Sequence, residues 1–305
     1  MSAIPRDAAS VILVRHGSAG EQALLIRRDV RLAFAGGAWV FPGGKLEPSD
    51  LAGETLVRIG LADQAPHAAG DSAVDRRALG LVVAACRETF EETGIVLARR
   101  ANGAVCDSKL ADALQPFRAQ ITRDSGLFPT LLADNGLAIG RGSLIRWAHW
   151  ITPSIAPKRF DTRFFLAVMP PDQSVRCDSP EATDLHWLDL RVGGPLPEPS
   201  LIPAPPTRFS LGDLALCLRK HGSVDRLMRF EAARHVVPML PKILRINGQM
   251  TALMPWDPEY QSSPGEGIPP ETQIPGRYFD FPSRVAVSSQ NEDARRAISA
   301  RPTKE

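Results

Sequence analysis

Glu88, Glu91 and Glu92 fall in the run Arg87-Glu88-Thr89-Phe90-Glu91-Glu92-Thr93-Gly94-Ile95. On a helix each residue advances about 100°, so the three carboxylates share an arc of roughly 100°. Negative groups crowded in this way repel one another, and a divalent cation or arginines must offset them at neutral pH. Carboxylate oxygens are hard donors that suit Mg²⁺ or Mn²⁺ rather than zinc. A bare Glu-rich helix is most often a solvated face. Three additions set this one apart. Arg87 directly precedes the first glutamate, Gly94 stops the helix just past the last, and Phe41-Pro42-Gly43-Gly44 lies upstream. The two glycines of that loop permit close backbone approach by phosphate or metal.

The elements that must position these groups follow from hydrophobic periodicity. Residues 9–15 and 23–28 read as strands joined by a hairpin at His16 to Gly20, and residues 38–41 as a short strand ended by Pro42-Gly43-Gly44. A short helix is expected over 51–58 and a polar, irregular excursion over 60–77. A long helix is expected from about Val74 to Thr93, with Gly94 as its stop. A strand at 95–98 and helices at 109–120 and 124–134 follow, then strands at 144–151, 163–169 and 183–188. Six prolines make 193–206 an extended connector. Helices at 210–220 and 223–236 and a hairpin at Asn247-Gly248 come next, and the polar residues past Pro282 are expected to be a disordered tail, 283–305. Short strands mixed with separated helices predict an α+β chain, an α/β/α sandwich.

Composition excludes several function classes. Lys+Arg 36 against Asp+Glu 34 leaves a formal net charge of +2, so no bulk field calls for a nucleic-acid polymer or a membrane surface. No apolar run approaches the roughly 20 residues of a membrane helix. Cys86, Cys106, Cys177 and Cys217 form no C-x-x-C pair, and residues 1–10 lack an apolar stretch. Reduced thiols in a cytoplasmic protein are therefore expected.

The segment resembles the Nudix box, G-x5-E-x7-R-E-U-x-E-E-x-G-U, where U is a bulky aliphatic. Gly44, Arg87, Glu88, Glu91, Glu92, Gly94 and Ile95 match in order. Asp50 stands where the family has Glu, keeping the charge but shortening the reach, and Thr89 replaces the aliphatic. Residues 51–86 number 36 where the box has seven, so the box is split by an insertion. Arg58 occupies the uninterrupted position, but Ile59 follows it and that register fails. Such an interrupted box is similar to a Nudix subgroup that includes a coenzyme A diphosphatase. Its F-P-G-G and following Asp match here. So do the runs Trp150 to Pro153, Arg159 to Phe165, Pro205 to Phe209 and Leu253 to Tyr260, so the resemblance covers 8–260. A coenzyme A signature of related enzymes is half matched: Leu24, Leu25, Arg28, Gly37 and Phe41 to Gly44 fit, while Ile26, Asp29 and Ala33 do not.

The resemblance implies a Nudix fold over 8–260: a mixed β-sheet between helices, a catalytic loop–helix–loop, and a C-terminal helical extension over 193–260. It implies hydrolysis of a diphosphate bond in a small nucleoside-containing substrate with Mg²⁺ or Mn²⁺. Glu91, Glu92, Glu88 and the Gly43 carbonyl would hold the metal. Glu88 would position or deprotonate the attacking water, and Arg87 would anchor the carboxylates. Arg27, Arg28, Arg31 and Gly44 are candidates to meet substrate phosphates, and Asp50 and Glu181 are further acidic candidates. Coenzyme A or an acyl derivative, another nucleotide or dinucleotide, and a binding module without turnover all remain open as readings. An inserted segment leaving and returning beside the site is expected to act as a lid or binding wall.

Other patterns carry less. Arg15-His16-Gly17 after a strand resembles a histidine-phosphatase motif, but it also fits a hairpin tip. Gly43-Gly44-Lys45 is no P-loop, because Leu46 follows the lysine. Trp147, Trp150, Phe164 and Phe165 read as core, and His149 and His186 as structural.

Overall fold

The computed structural model describes residues 3–18, 20–31, 36–61, 72–140, 142–179, 182–190 and 204–287, with the side chains of 57 and 72–75 excepted. Its centre is an eight-stranded mixed sheet. Strand β1 (Arg6–Gly17) turns into β2 (Gly20–Arg28), followed by β3 (Trp39–Val40) and β4 (Gly43–Lys45). A 3-10 turn, Pro48–Leu51, leads to α1 (Gly53–Arg58) and then the long α2 (Ser72–Thr93). The two-residue strands β5 (Arg99–Arg100) and β6 (Leu137–Ala138) pair with each other around α3 (Ser108–Leu114), α4 (Arg118–Ile121) and α5 (Leu127–Asp134). The sheet resumes with β7 (Ile145–Ile151), β8 (Phe160–Val168) and β9 (Ala182–Asp189). Helices α6 (Pro205–His221) and α7 (Val224–Phe230) precede β10 (Pro238–Met239), β11 (Lys242–Ile246), β12 (Gln249–Leu253) and β13 (Arg284–Ala286).

In the large sheet the order is β10-β7-β8-β1-β2-β3, with β4 on β1 and β9 on β2. Strands β1 and β8 are parallel, which puts β1 in the interior. Ala8 through Val14 are accordingly all buried, as expected of a strand covered on both faces. Ala9, Val11 and Leu13 pack with Leu81, Val83 and Phe90 of α2. Ile12 and Val14 pack with Phe209, Leu214 and Leu218 of α6 on the other side. The fold is therefore the expected α+β sandwich, with α2 on one face and α6 and α7 on the other.

The C-terminal extension departs from the expectation. It is not only helical, because β11, β12 and β13 form a separate three-stranded sheet. Asn247 (φ 50) and Gly248 (φ 83) supply the two left-handed residues that a tight hairpin requires. The tail does not begin at Pro282 either, since β13 pairs with β12 and Arg284 binds Asp257 at 2.8 Å. Residues 288–305 lie outside the described residues. Of the proline connector, 191–203 lie outside too, and Pro205 and Pro206 open α6 rather than extend the linker, as proline at N1 allows. Residues 95–98 are irregular instead of a strand, and pairing starts only at Arg99. Leu97 and Ala98 are buried there, and the side-chain amide of Gln173 meets the Val96 N–H at 2.8 Å in place of a neighbouring strand.

These contacts predict that a chain ending after Phe281 melts several degrees below one ending after Val287, because it loses a paired strand and an ion pair worth about 1–3 kcal/mol together. Arg284 and Ser283 hold the Asp257 carboxyl down at about 2. The stabilisation from this carboxylate is present above its ordinary value and is lost as the pH falls towards 2. The melting difference should shrink over that window; equal melting temperatures at neutral pH would contradict the assignment.

Candidate active site

Helix α2 ends where the chemistry would begin. Gly94 takes a left-handed φ of 75°, and its N–H reaches the Phe90 carbonyl at 2.8 Å, closing the last turn. Thr89, which departs from the aliphatic of the box, is fully buried, and its hydroxyl donates to the Ala85 carbonyl at 2.8 Å. The polar group is thus satisfied within the helix, and the substitution leaves nothing unpaired. Phe90 anchors the inner face of the turn against Phe128, with ring centroids 6.1 Å apart.

Arg87 is the hub. It is 2% exposed, and its guanidinium donates through Nε and Nη2 to Asp50 at 3.0 and 2.9 Å. Nη1 reaches Glu88 at 2.9 Å and Glu91 at 2.7 Å, and Nη2 also reaches the Lys45 carbonyl at 3.0 Å. Burial alone would lower its pKa, but the surrounding carboxylates hold it above the ordinary arginine range. Asp50 replaces the family's glutamate without loss of contact. It sits in the 3-10 turn directly against Arg87, where its Oδ2 also accepts from the Glu47 N–H at 2.9 Å.

The glycine loop lies over the same carboxylates. The Gly43 N–H donates to Glu92 at 2.8 Å. A Cβ on Gly44 would meet the movable end of the Glu88 side chain, whereas one on Gly43 would run into the Ala9 carbonyl, so position 43 requires glycine. Burial pushes the Glu88 carboxyl up to about 7; Glu91 and Asp50 add to the rise and Arg87 opposes it. Among the described residues no three of these carboxylates converge on one point. Arg87 draws Glu88 and Glu91 to itself, and Gly43 draws Glu92. The donor set still fits a hard divalent cation: three carboxylates at one helix end, one of them reluctant to carry its charge, beside a loop too tight for a side chain at position 43.

Two features were not foreseen. Arg118, from α4, is buried and donates to the Phe90 carbonyl at 3.0 Å and the Glu91 carbonyl at 2.8 Å, with Asp178 as its ionic partner. It places a cation on the open carbonyls at the end of α2. Helix α2 begins at Ser72, two residues before its expected start. Leu61, at the start of the expected polar excursion, is unexpectedly buried. Arg77 of the same segment binds both Asp7 and Asp161 of the sheet. Residues 62–71, the centre of the expected lid, lie outside the described residues.

The other candidates fall elsewhere. Arg31 is engaged by Asp29 through Nε at 2.9 Å and Nη2 at 2.7 Å, and Arg27 by the Gly37 carbonyl at 3.4 Å. Arg28 is half-buried at the end of β2. Glu181 lies outside the described residues. His16 sits between Glu21 and Asp225, each at 3.0 Å. Gly44 pairs with Ala9, seven residues away along β1, roughly 23 Å at strand rise. His16 therefore belongs to the hairpin tip.

A family model, the NUDT19 Nudix domain, matches residues 5–192. The chain belongs to the Nudix family. The match spans the glycine loop, the insertion and α2 together, so this Nudix box is a split one. Two relatives named acyl-coenzyme A diphosphatase NUDT19 are similar to the chain. The one from Gallus gallus is 30% identical, over 60% of this chain and 60% of that protein. The one from Xenopus laevis is 26% identical, over 54% of this chain and 52% of that protein. The chain thus spans little more than half the length of these relatives. A Nudix hydrolase crystal structure from Alicyclobacillus acidocaldarius superposes with a TM-score of 0.56 at 28% identity, covering 74% of this chain and 96% of that one. The Nudix fold of this chain is established by that likeness together with its sandwich topology.

Proposed function

We propose that this protein hydrolyses the diphosphate bond of a nucleoside-diphosphate-linked substrate, with coenzyme A or an acyl-CoA as the substrate class. The observation that carries the reading is the buried network in which one guanidinium holds Asp50, Glu88 and Glu91 beneath the Gly43-Gly44 loop. Structural helices do not gather three acids and an arginine around a glycine loop without use for them, because each buried charge costs free energy. The CoA class rests on the printed activity of the NUDT19 relatives and on the half-matched signature around Phe41 to Gly44.

Glu91, Glu92, Glu88 and the Gly43 carbonyl would hold Mg²⁺ or Mn²⁺. When bound, the ion offsets diphosphate charge and makes a water more acidic. Glu88 would orient the attacking water and take its proton as the water oxygen bonds to phosphorus and the bridging P–O bond breaks. Arg87 fixes the Glu88 and Glu91 rotamers, which removes the cost of ordering them during reaction. The backbone at Gly44 lets the diphosphate approach without a side chain in its path.

The test is direct. Purified protein incubated with CoA and Mn²⁺ or Mg²⁺ should release a 4′-phosphopantetheine and adenosine 3′,5′-bisphosphate, identified by mass spectrometry. EDTA should abolish turnover, and excess metal should restore it. Full activity after rigorous chelation would overturn the carboxylate assignment; metal-dependent cleavage of other diphosphates but not CoA would overturn the substrate class alone.

A further inference from the structure

Helix α2 carries its acids against the field of its own backbone. The last four carbonyls of a helix lack partners within it, and their partial negative charge favours cations in the final turn. The final turn of α2 holds Glu91 and Glu92 and no basic residue. Acids placed there disfavour the helical conformation that keeps Glu88, Glu91 and Glu92 on one side. Donors that the helix does not carry must come from other parts of the chain.

Three segments supply them. Arg118 of α4 donates to the Phe90 carbonyl through Nε at 3.0 Å. It also donates to the Glu91 carbonyl, through Nε at 3.2 Å and Nη2 at 2.8 Å. The Arg176 backbone N–H, in the segment after β8, donates to the Thr93 carbonyl at 2.9 Å. The Gln115 side-chain amide, just before α4, donates to the Gly94 carbonyl at 2.9 Å. Of these three donor groups only the guanidinium is charged. Its Nη1 turns the other way, to Asp178. The Arg118 side chain is 9% exposed and that of Asp178 is 61% exposed. An ion pair with so exposed a partner contributes little, so Asp178 does not account for an arginine held out of water. The contacts that offset its burial are those to the end of α2.

Glu91 is thereby held at two points. Arg87 Nη1 binds its carboxylate at 2.7 Å, and Arg118 Nη2 binds its carbonyl at 2.8 Å. The first contact fixes the rotamer. The second fixes the backbone on which that rotamer stands, and groups behind a metal-binding carboxylate govern its aim. Glu92 is the next residue along the same backbone, with its carboxylate on the Gly43 N–H.

We infer that, given the proposed metal-dependent hydrolysis, Arg118 is a positioning residue for the metal-binding carboxylates and acts through the main chain of Glu91. It takes no part in the chemical step.

The experiment measures Mn²⁺ binding without substrate, from the electron paramagnetic resonance signal of free Mn²⁺, for the wild type, Arg118→Met and Arg118→Lys. The sign of the change decides. A fixed cation near a metal site repels the metal, so on charge alone Arg118→Met should bind Mn²⁺ more tightly and Arg118→Lys should match the wild type. Positioning predicts the opposite. Arg118→Met should bind Mn²⁺ about ten-fold more weakly. Arg118→Lys should show a smaller loss, because an ammonium keeps the charge without the fork that spans both carbonyls. The Mn²⁺ concentration for half-maximal rate should rise by the same factors, while KM for the substrate at saturating Mn²⁺ stays within about two-fold. Circular dichroism and melting curves confine the comparison to folded protein, and if Arg118→Met does not fold, Arg118→Lys carries the test. Unchanged or tighter Mn²⁺ binding in either folded variant would overturn the role of Arg118 and leave the carboxylate reading standing. A wild type that binds no Mn²⁺ would overturn both.

Discussion

Glu92→Gln is expected to lower kcat by about 10³-fold while the melting temperature stays within a degree or two of the wild type. Glu92 is buried and accepts the Gly43 N–H at 2.8 Å. Glutamine has the same shape, and its amide oxygen can keep that hydrogen bond, so the loop and helix stay joined. What is lost is one unit of negative charge where the cation is proposed to sit, and charge stabilisation in such sites is worth several kcal/mol. His16→Ala is the control. Its imidazole joins Glu21 and Asp225 at the surface, 56% exposed and far along β1 from Gly44. Steady-state kinetics on the two variants, with circular dichroism to verify folding, decides the matter. A dead His16 variant beside a fully active Glu92 variant would favour nucleophilic histidine chemistry and sink the carboxylate mechanism.

Helix α2 was legible because its signals are local. Glutamate spacing at 88, 91 and 92 places the carboxylates on one side, Gly94 can only be a stop, and the buried positions recur with helical period. The Asn247-Gly248 hairpin was legible for the same reason. What could not be read depends on partners distant in sequence. Arg118 caps α2 from another helix, while helix-end cations are sought in the last turn of the helix itself. The strand expected at 95–98 has enough apolar residues, but a strand also needs a neighbour. Gln173 supplies the hydrogen bonds there instead.

The insertion teaches a related lesson. Its spacing was plain, but residues 60–77 looked polar enough for a loop, and the pattern gave no sign that Leu61 would join the buried core cluster. Nor did alternation reveal the bulge in β7. A bulge inserts one residue without any fixed signature in composition, so the side chains beyond it change face unannounced. Arg27, Arg28 and Arg31 precede the glycine loop in sequence, yet Arg31 is spent on Asp29, which it holds at about 2.

Arg87→Met should destabilise the protein by about 3–5 kcal/mol, a fall in melting temperature of roughly 10 °C. The reason lies in what it leaves behind. Asp50 is 1% exposed and takes two hydrogen bonds from Arg87, so removal of the guanidinium strands a carboxylate out of water. Glu88 and Glu91 would then face each other with no cation between them. Arg87→Lys should fall between wild type and Arg87→Met, since an ammonium keeps the charge but cannot span Asp50, Glu88 and Glu91 at once. Adding Asp50→Asn to Arg87→Met removes the stranded charge and should recover part of the stability, which a double-mutant cycle measures as a coupling of more than about 1 kcal/mol. Activity should not return with stability, because nothing then holds the Glu88 and Glu91 rotamers. Rates are best taken well below each variant's melting point, so that loss of fold and loss of positioning are read separately. Additive melting shifts in the cycle, or a double variant that regains wild-type kcat, would show that Arg87 does not organise the carboxylates.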